Sequence, residues 1–180
     1  MNNNYWNKYY KNFKYYNPSN FAKFCVKYFK KANLNLDIGC GNGRDTAYFI
    51  KNNYNFRGID ISFTATKINN KNFGNFFYKK NFCSKFFNPN FLGSKKINNI
   101  YARFFIHAIT LKDQIQFLRN VKKVLSKNGK IFLEFRTTKD PMMKLGKKIS
   151  YNERISSHYR RFIDVDKFEK EIQAENFKFI

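Results

Sequence analysis

The feature that most constrains the fold is a run of three closely spaced glycines, Gly39, Gly41 and Gly43. The apolar stretch 34–38 before them predicts a β-strand, and residues 44–51 after them have a helical pattern. Glycine permits a tight turn and a close approach of backbone to ligand, and the first turn of a helix presents free N–H donors. This order of strand, glycine loop and helix predicts a nucleotide-binding site.

An acidic residue at the end of the next predicted strand sharpens this prediction. Asp60 follows Gly39 by 21 residues, and a carboxylate at that place can accept hydrogen bonds from both ribose hydroxyls of an adenosine. The dinucleotide-binding pattern requires a glycine at position 44, where this chain has Arg44. The spacing therefore disfavours a dehydrogenase.

Strand and helix patterns alternate along the rest of the chain. This alternation predicts an α/β fold with a mostly parallel sheet covered by helices on both faces. Strands are predicted over 56–60, 75–79, 97–103 and 130–135, with a sixth beginning at 177. Helices are predicted from Pro18-Ser19, over 64–69, from the cap Thr110 to a close at Asn128-Gly129, and over 164–176.

With Asp37 inside the first strand and the third glycine at position 43, the loop resembles that of class I, Rossmann-like S-adenosylmethionine-dependent methyltransferases. Further blocks, including Tyr101-x-Arg103-Phe104-x-x-His107 and His158-Tyr159-Arg160-Arg161-Phe162, extend the resemblance to a bacterial subgroup associated with surface polysaccharides and other small polar substrates. The resemblance implies S-adenosylmethionine as the cofactor. The cofactor-binding residues that it implies are Asp37, Gly39, Cys40, Gly41, Asn42, Gly43, Asp60, Ile61 and Asn81.

The sequence departs from that family at two places. Relatives usually have an acidic residue after the third strand, where this chain has Asn81, whose amide oxygen still accepts a hydrogen bond. The family's fold also has a seventh strand beside the fifth, whereas this chain stops at Ile180 as the sixth begins. We therefore expect C-terminal strands to be missing and the sheet edge to be uncovered, and a truncated cofactor-binding remnant without activity is one alternative.

We expect one globular domain, with residues 1–33 as an aromatic, helical lid segment and 34–180 as the methyltransferase domain. The aromatic side chains Tyr5, Trp6, Tyr9 and Tyr10 either cover cofactor and acceptor or pack on the sheet as core.

Two residues are candidates for catalysis. His107 follows the fourth strand and has an ordinary pKa suited to proton transfer, although it could equally pack against neighbouring phenylalanines. Glu134 ends the fifth strand and is either a second base or the partner of an arginine in an ion pair.

Arginine is scarce, with 8 copies against 27 lysines, so its positions are informative. The candidate substrate-binding residues are Arg103, Arg136, His158, Arg160 and Arg161. Guanidinium groups hold phosphate or carboxylate bidentately, which favours a small polar or anionic acceptor such as a phosphate, a carboxylate or a sugar hydroxyl. Pairing with Glu134, Asp140 and Asp164 is the structural alternative.

The formal charge of +23 leaves RNA or DNA methylation, or association with nucleic acid through the basic surface, as an alternative function. The lysines are spread along the chain, and the Asn/Asp-Pro-Pro-Tyr block of amino-directed DNA enzymes is absent from the sequence. Three unpaired cysteines and two histidines predict neither a disulfide framework nor a metal site. Without a signal peptide or an apolar span, the sequence predicts a cytoplasmic protein, and it leaves the oligomeric state open.

Overall fold

Five parallel strands form the central sheet of the protein. The computed structural model describes residues 3–12, 14, 17–93 and 96–178 of the 180-residue chain. The strands are β1 (Asn35–Ile38), β2 (Phe56–Asp60), β3 (Phe77–Lys79), β4 (Ile97–Arg103) and β5 (Leu125–Glu134). Their order is β3-β2-β1-β4-β5 and every neighbouring pair is parallel, so the predicted α/β class and Rossmann-like architecture are confirmed.

Among the residues that the structure describes, six α-helices accompany the sheet, and four of them begin at a side chain that caps the first turn. They are α1 (Asn3–Tyr9), α2 (Asn20–Cys25), α3 (Arg44–Lys51), α4 (Phe63–Phe73), α5 (Leu111–Val124) and α6 (Val165–Ala174). Ser19, Ser62, Thr110 and Asp164 each accept a hydrogen bond from a backbone N–H three residues later. Among the described residues, no helix combines the length and the apolar character needed to cross a bilayer.

Side chains from the two faces of the sheet enter two separate hydrophobic clusters. On β4, Ile100 and Ala102 pack with α5 and α6, whereas Tyr101 packs with α2 and α3. Successive residues of a strand point to opposite faces, so helices on both faces are needed to bury them. The sheet is thus a middle layer, and its strand ends are left for the functional site.

The predicted close of α5 at Asn128-Gly129 is wrong. The helix ends at Val124, and Leu125 already pairs with Ile97 in β5. The register between β4 and β5 then shifts between Ile97 and Asn99. A Cβ atom at Gly129 would lie 2.8 Å from the Asn98 carbonyl oxygen, so this glycine allows close strand packing and does not terminate the helix.

A small antiparallel sheet after β5 was not predicted. It consists of β6 (Lys147–Lys148), β7 (Glu153–Ile155) and β8 (Tyr159–Arg161). The predicted sixth strand is not formed by Phe177 or Lys178, and its other two residues lie outside the described residues. Within the described part of the chain, β5 forms one edge of the central sheet.

The loop after β3 depends on one buried amide. Asn120 of α5 donates from Nδ2 to the carbonyls of Phe82 and Ser84, at 2.6 and 2.9 Å. We predict that Asn120→Ala lowers the free energy of unfolding by about 2 kcal/mol, because two carbonyls lose a buried donor. Urea unfolding followed by circular dichroism measures this loss.

Asn72→Ala is the matched control, since Asn72 is exposed on α4 and donates only to a carbonyl of its own helix. We expect its stability to stay within about 0.5 kcal/mol of the parent. Equal effects of the two substitutions would contradict the prediction.

Candidate functional site

The glycine loop connects the end of β1 to the start of α3. Gly39, Gly41 and Gly43 have φ angles of 71°, 53° and 71°, a region that favours glycine. The N–H groups of Gly39 and Cys40 both donate to the Ile59 carbonyl, at 2.8 and 3.0 Å. These two hydrogen bonds fasten the loop to the end of β2.

Asp60 lies at that same end of β2 and is 8% exposed. Its Oδ2 accepts from the N–H of Gly41 at 3.0 Å, and its Oδ1 accepts from the N–H of Ser62 at 2.8 Å. Burial raises the pKa of Asp60, and these backbone donors partly oppose the rise. A carboxylate has about four acceptor positions, so Asp60 holds the loop and still has acceptor positions for a ligand's hydroxyls.

Asp37 is a second buried carboxyl beside the loop, 3% exposed. The Thr46 hydroxyl donates to Asp37 Oδ2 at 2.5 Å. Burial raises the pKa of Asp37 to about 8, although the hydrogen bond from Thr46 lowers it. The negative charge of Asp37 is therefore suppressed near neutral pH and would return beside a cation.

A cavity of about 1120 Å³ opens at the carboxyl ends of the parallel strands. Ligands bind at this edge in open α/β sheets. The candidate residues that line it are Asp37, Gly39, Cys40, Gly41, Asn42, Asp60, Ile61, Arg103, His107, Arg136, His158 and Arg160. The structure thus brings the predicted cofactor loop and most of the predicted acceptor residues to one cavity.

Helix α1 forms the roof of this cavity. Its end and the following turn place Tyr10 so close to the loop that a Cβ at Gly41 would lie 2.4 Å from Tyr10 Oη. Asn7 Oδ1 accepts from the Ser62 hydroxyl and the Thr64 N–H, at 2.8 and 3.2 Å. The aromatic segment predicted as a lid therefore lies on the cavity and is anchored to the start of α4.

His107 lines the cavity but is only 4% exposed. Its Nδ1 accepts the N–H of Arg136 at 3.1 Å, which assigns the proton of the neutral ring to Nε2. Burial lowers the pKa of His107 to about 3, with further lowering by Arg136, Arg160 and His158. In this arrangement the neutral ring of His107 has its proton on Nε2, and the catalytic role of this residue stays a prediction.

Arg136, Arg160 and His158 also line the cavity and come from segments other than the glycine loop; we call this group the acceptor end, after the role predicted from the sequence. Arg136 Nη1 contacts Asp140 Oδ2 at 2.7 Å. His158 Nδ1 lies 3.1 Å from Tyr5 Oη, so the roof touches this end as well. The two guanidinium groups give the acceptor end a positive charge.

Four predicted residues lie outside the cavity lining. Arg161 is 7% exposed, and it donates to Gln114 Oε1 and the Ile109 carbonyl beneath α5. Glu134 forms an ion pair with its cross-strand neighbour Arg103. Asn81 is exposed, and its side chain accepts from the Cys83 N–H at 3.0 Å. Gly43 is the N-cap residue of α3, directly before Arg44.

Phe104 lines the cavity and was not predicted as a site residue. Its φ angle is 55°, a conformation that is uncommon for residues other than glycine and is found at functional sites. The guanidinium carbons of Arg103 and Arg136 lie 4.0 and 5.2 Å from its ring centre. Its place directly after β4 was the available sequence signal.

A family model described as a methyltransferase domain matches residues 36–131, which is more than half of the chain. The chain belongs to this methyltransferase family. The predicted class I, S-adenosylmethionine-dependent methyltransferase is confirmed, whereas the polysaccharide-associated subgroup stays a prediction. No curated protein matches the sequence.

Solved structures share the fold of this methyltransferase at low sequence identity. The glycopeptide N-methyltransferase MtfA complexed with S-adenosylhomocysteine has a TM-score of 0.69 and 14% identity over 93% of this chain and 82% of its own. The 1,6-didemethyltoxoflavin-N1-methyltransferase of Burkholderia thailandensis has a TM-score of 0.64 and 14% identity, over 89% and 67%. A methyltransferase of Anabaena variabilis has a TM-score of 0.60 and 21% identity, and the match covers 76% of this chain and 60% of the Anabaena chain.

The raised pKa of Asp37 makes stability depend on pH. In the unfolded chain this carboxyl ionises near its ordinary pKa of about 4, and in the fold near about 8. The folded protein therefore binds more protons in that window, and its stability falls as pH rises, by up to about 1.4 kcal/mol per pH unit. We predict that Asp37→Asn is more stable than the parent at about pH 8 and nearly equal to it at about pH 4.

Urea unfolding across this pH range measures the difference. Asp166→Asn is the control, because Asp166 is exposed on α6 and its replacement should leave the slope of stability against pH unchanged. If the free energy of unfolding changes with pH in the same way in the parent and in Asp37→Asn, the predicted pH dependence is wrong.

Proposed function

We propose that this methyltransferase moves the methyl group of S-adenosylmethionine to a small polar acceptor that carries a phosphate, a carboxylate or a sugar hydroxyl. The observation that carries the proposal is that one cavity is lined both by the glycine loop and by Arg136 and Arg160. A cofactor at the loop and an acceptor at the arginines would share that cavity.

The residues at the loop end fit the cofactor. Asp60 would accept from the ribose hydroxyls, and Ile61 and Phe82 give the lining apolar surface for an adenine ring. The carboxyl of Asp37, held protonated by burial, would ionise beside a positively charged amino or sulfonium group. Bound there, S-adenosylmethionine supplies a methyl group that is already activated for displacement.

The acceptor end supports a polar or anionic partner. Arg136 and Arg160 line it with guanidinium groups, and His107 adds a neutral N–H donor. The roof aromatics Tyr5 and Trp6 lie over this end next to His158, with ring centres 5.3 and 5.1 Å from that imidazole. They would exclude water and hold the acceptor in line with the methyl group.

Two solved relatives support a small acceptor. MtfA is a glycopeptide N-methyltransferase, and the Burkholderia thailandensis protein was solved with bound 1,6-didemethyltoxoflavin and S-adenosylhomocysteine. The compounds named for these two proteins are a glycopeptide and 1,6-didemethyltoxoflavin, and neither is a nucleic acid. The subgroup associated with surface polysaccharides belongs to this proposal on the resemblance of the sequence alone.

The role of Asp60 can be tested by cofactor binding. We predict that Asp60→Asn weakens S-adenosylmethionine binding about 100-fold, because two charge-assisted hydrogen bonds to ribose would be weakened or lost. Isothermal titration calorimetry measures the affinity. The thermal midpoint without cofactor shows whether the loop itself has been disturbed through Gly41 and Ser62.

Asp164→Asn is the matched control, since Asp164 caps α6 and does not line the large cavity. It should bind the cofactor as the parent does. Unchanged binding in Asp60→Asn would contradict the site, and a parent protein that the cofactor neither binds nor stabilises would favour the inactive remnant.

A further inference from the structure

The carboxyl groups that line the cavity all lie at or next to the glycine loop. All twelve acidic residues and both histidines lie within the described residues. Three of these carboxyls line the large cavity: Asp37, Asp45 and Asp60. All three are buried at or next to the glycine loop, at 3%, 5% and 8% exposure, so they belong to the cofactor end.

Protein donors hold each of these carboxyls. Asp45 accepts from the N–H and the hydroxyl of Ser19, at 2.7 and 2.8 Å, and from the Tyr101 hydroxyl at 2.8 Å. Asp37 and Asp60 accept from Thr46 and from two backbone N–H groups, as described above. These hydrogen bonds connect Asp45 of α3 to Ser19, which caps α2, and to Tyr101 of β4.

The carboxyls nearest the acceptor end are paired outside the lining. Asp140 accepts from Arg136 Nη1 at 2.7 Å and from the Met142 N–H at 2.8 Å. Glu134 is paired with Arg103. These ion pairs hold the guanidinium groups of Arg136 and Arg103, and neither carboxyl is part of the cavity lining.

At each of the two histidines at this end, Nδ1 has a partner in the protein. His107 Nδ1 accepts the Arg136 N–H, so the neutral ring can only donate from Nε2. His158 Nδ1 contacts both Tyr5 Oη and Ser157 Oγ at 3.1 Å. Burial lowers the pKa of both rings, Arg136 and Arg160 lower it further, and Asp140 opposes this at His107.

We propose that the acceptor atom is an oxyanion that enters the cavity already ionised, a carboxylate held by Arg136 and Arg160, and that the protein removes no proton from it. This inference rests on the proposed function and names its acceptor class. A planar carboxylate matches the fork of a guanidinium group, and the His107 N–H can donate to the same oxygen pair.

Transfer of the methyl group to a carboxylate oxygen needs no base. A lone pair of the carboxylate oxygen forms the new O–C bond to the methyl carbon, while the S–C bond breaks and its electron pair stays on sulfur. One negative and one positive charge become a neutral methyl ester and a neutral thioether. A neutral amine would instead become a cation beside two arginines and would still have a proton to lose.

Matched small acceptors test this inference. Benzoate, aniline and benzyl alcohol are offered to the protein loaded with S-adenosylhomocysteine, and the thermal midpoint reports binding. The same three compounds are then incubated with S-adenosylmethionine, and the formation of S-adenosylhomocysteine and of methylated product is measured. We expect benzoate alone to raise the midpoint and to be methylated.

Two variants separate acceptor binding from general surface charge. Arg160→Gln should weaken benzoate binding at least about 10-fold, since one charge-assisted hydrogen-bonding group is removed. Arg119→Gln removes the same charge from the exposed face of α5 and should leave benzoate binding unchanged. Equal binding by both variants overturns the proposal.

His107→Gln tests the claim that no proton is removed. Glutamine keeps one acceptor and one donor, so we expect at least about a tenth of the activity to remain and the rate to be flat from about pH 6 to about pH 9. An inflection near pH 6–7 that vanishes in His107→Gln, or a loss of about 100-fold or more, would reveal a base and overturn the proposal.

The other outcomes are equally decisive. Binding or methylation of aniline or benzyl alcohol in preference to benzoate overturns the oxyanion inference, and so does a failure of benzoate to bind the cofactor complex. In both cases cofactor binding in the parent leaves the proposed function standing. Failure of S-adenosylmethionine itself to bind would remove the proposed function.

Discussion

The site depends on a few hydrogen bonds between the glycine loop and the end of β2. The Ile59 carbonyl accepts two N–H groups of the loop, and the Asp60 carboxylate accepts a third from Gly41. These contacts fix the distance between the loop and Asp60, which come from the ends of two neighbouring strands and are the two parts of the proposed cofactor site. Burial raises the pKa of Asp60, and the backbone donors offset part of that rise.

The rest of the cavity is assembled around that fixed edge. Helix α1 lies across it, anchored through Asn7 to the start of α4 and touching His158 through Tyr5. The antiparallel sheet after β5 brings Arg160 to the far end. The residues proposed for the cofactor, for the roof and for the acceptor therefore come from segments far apart in the chain, and they line one cavity, in which the proposed methyl transfer could be aligned.

Lysine and arginine are distributed differently in this protein. The 27 lysines are spread along the chain, whereas four of the 8 arginines line the cavity: Arg44, Arg103, Arg136 and Arg160. Two of these are held by carboxyls, Glu134 and Asp140, that do not line it. The ion pairs with these carboxyls thus orient the guanidinium groups of Arg103 and Arg136 from outside the cavity lining.

The sequence by itself determined the parallel sheet, the glycine loop and the place of Asp60, because periodicity and glycine spacing are local properties of the chain. It could not separate Arg160, which lines the cavity, from Arg161, which is buried against Gln114, since adjacent strand residues face opposite sides and the strand β8 was not predicted. It could not show that the Arg136 N–H occupies His107 Nδ1. That contact joins residues 29 apart, and only the tertiary structure decided that Nδ1 of this histidine is an acceptor, which leaves the proton of the neutral ring on Nε2.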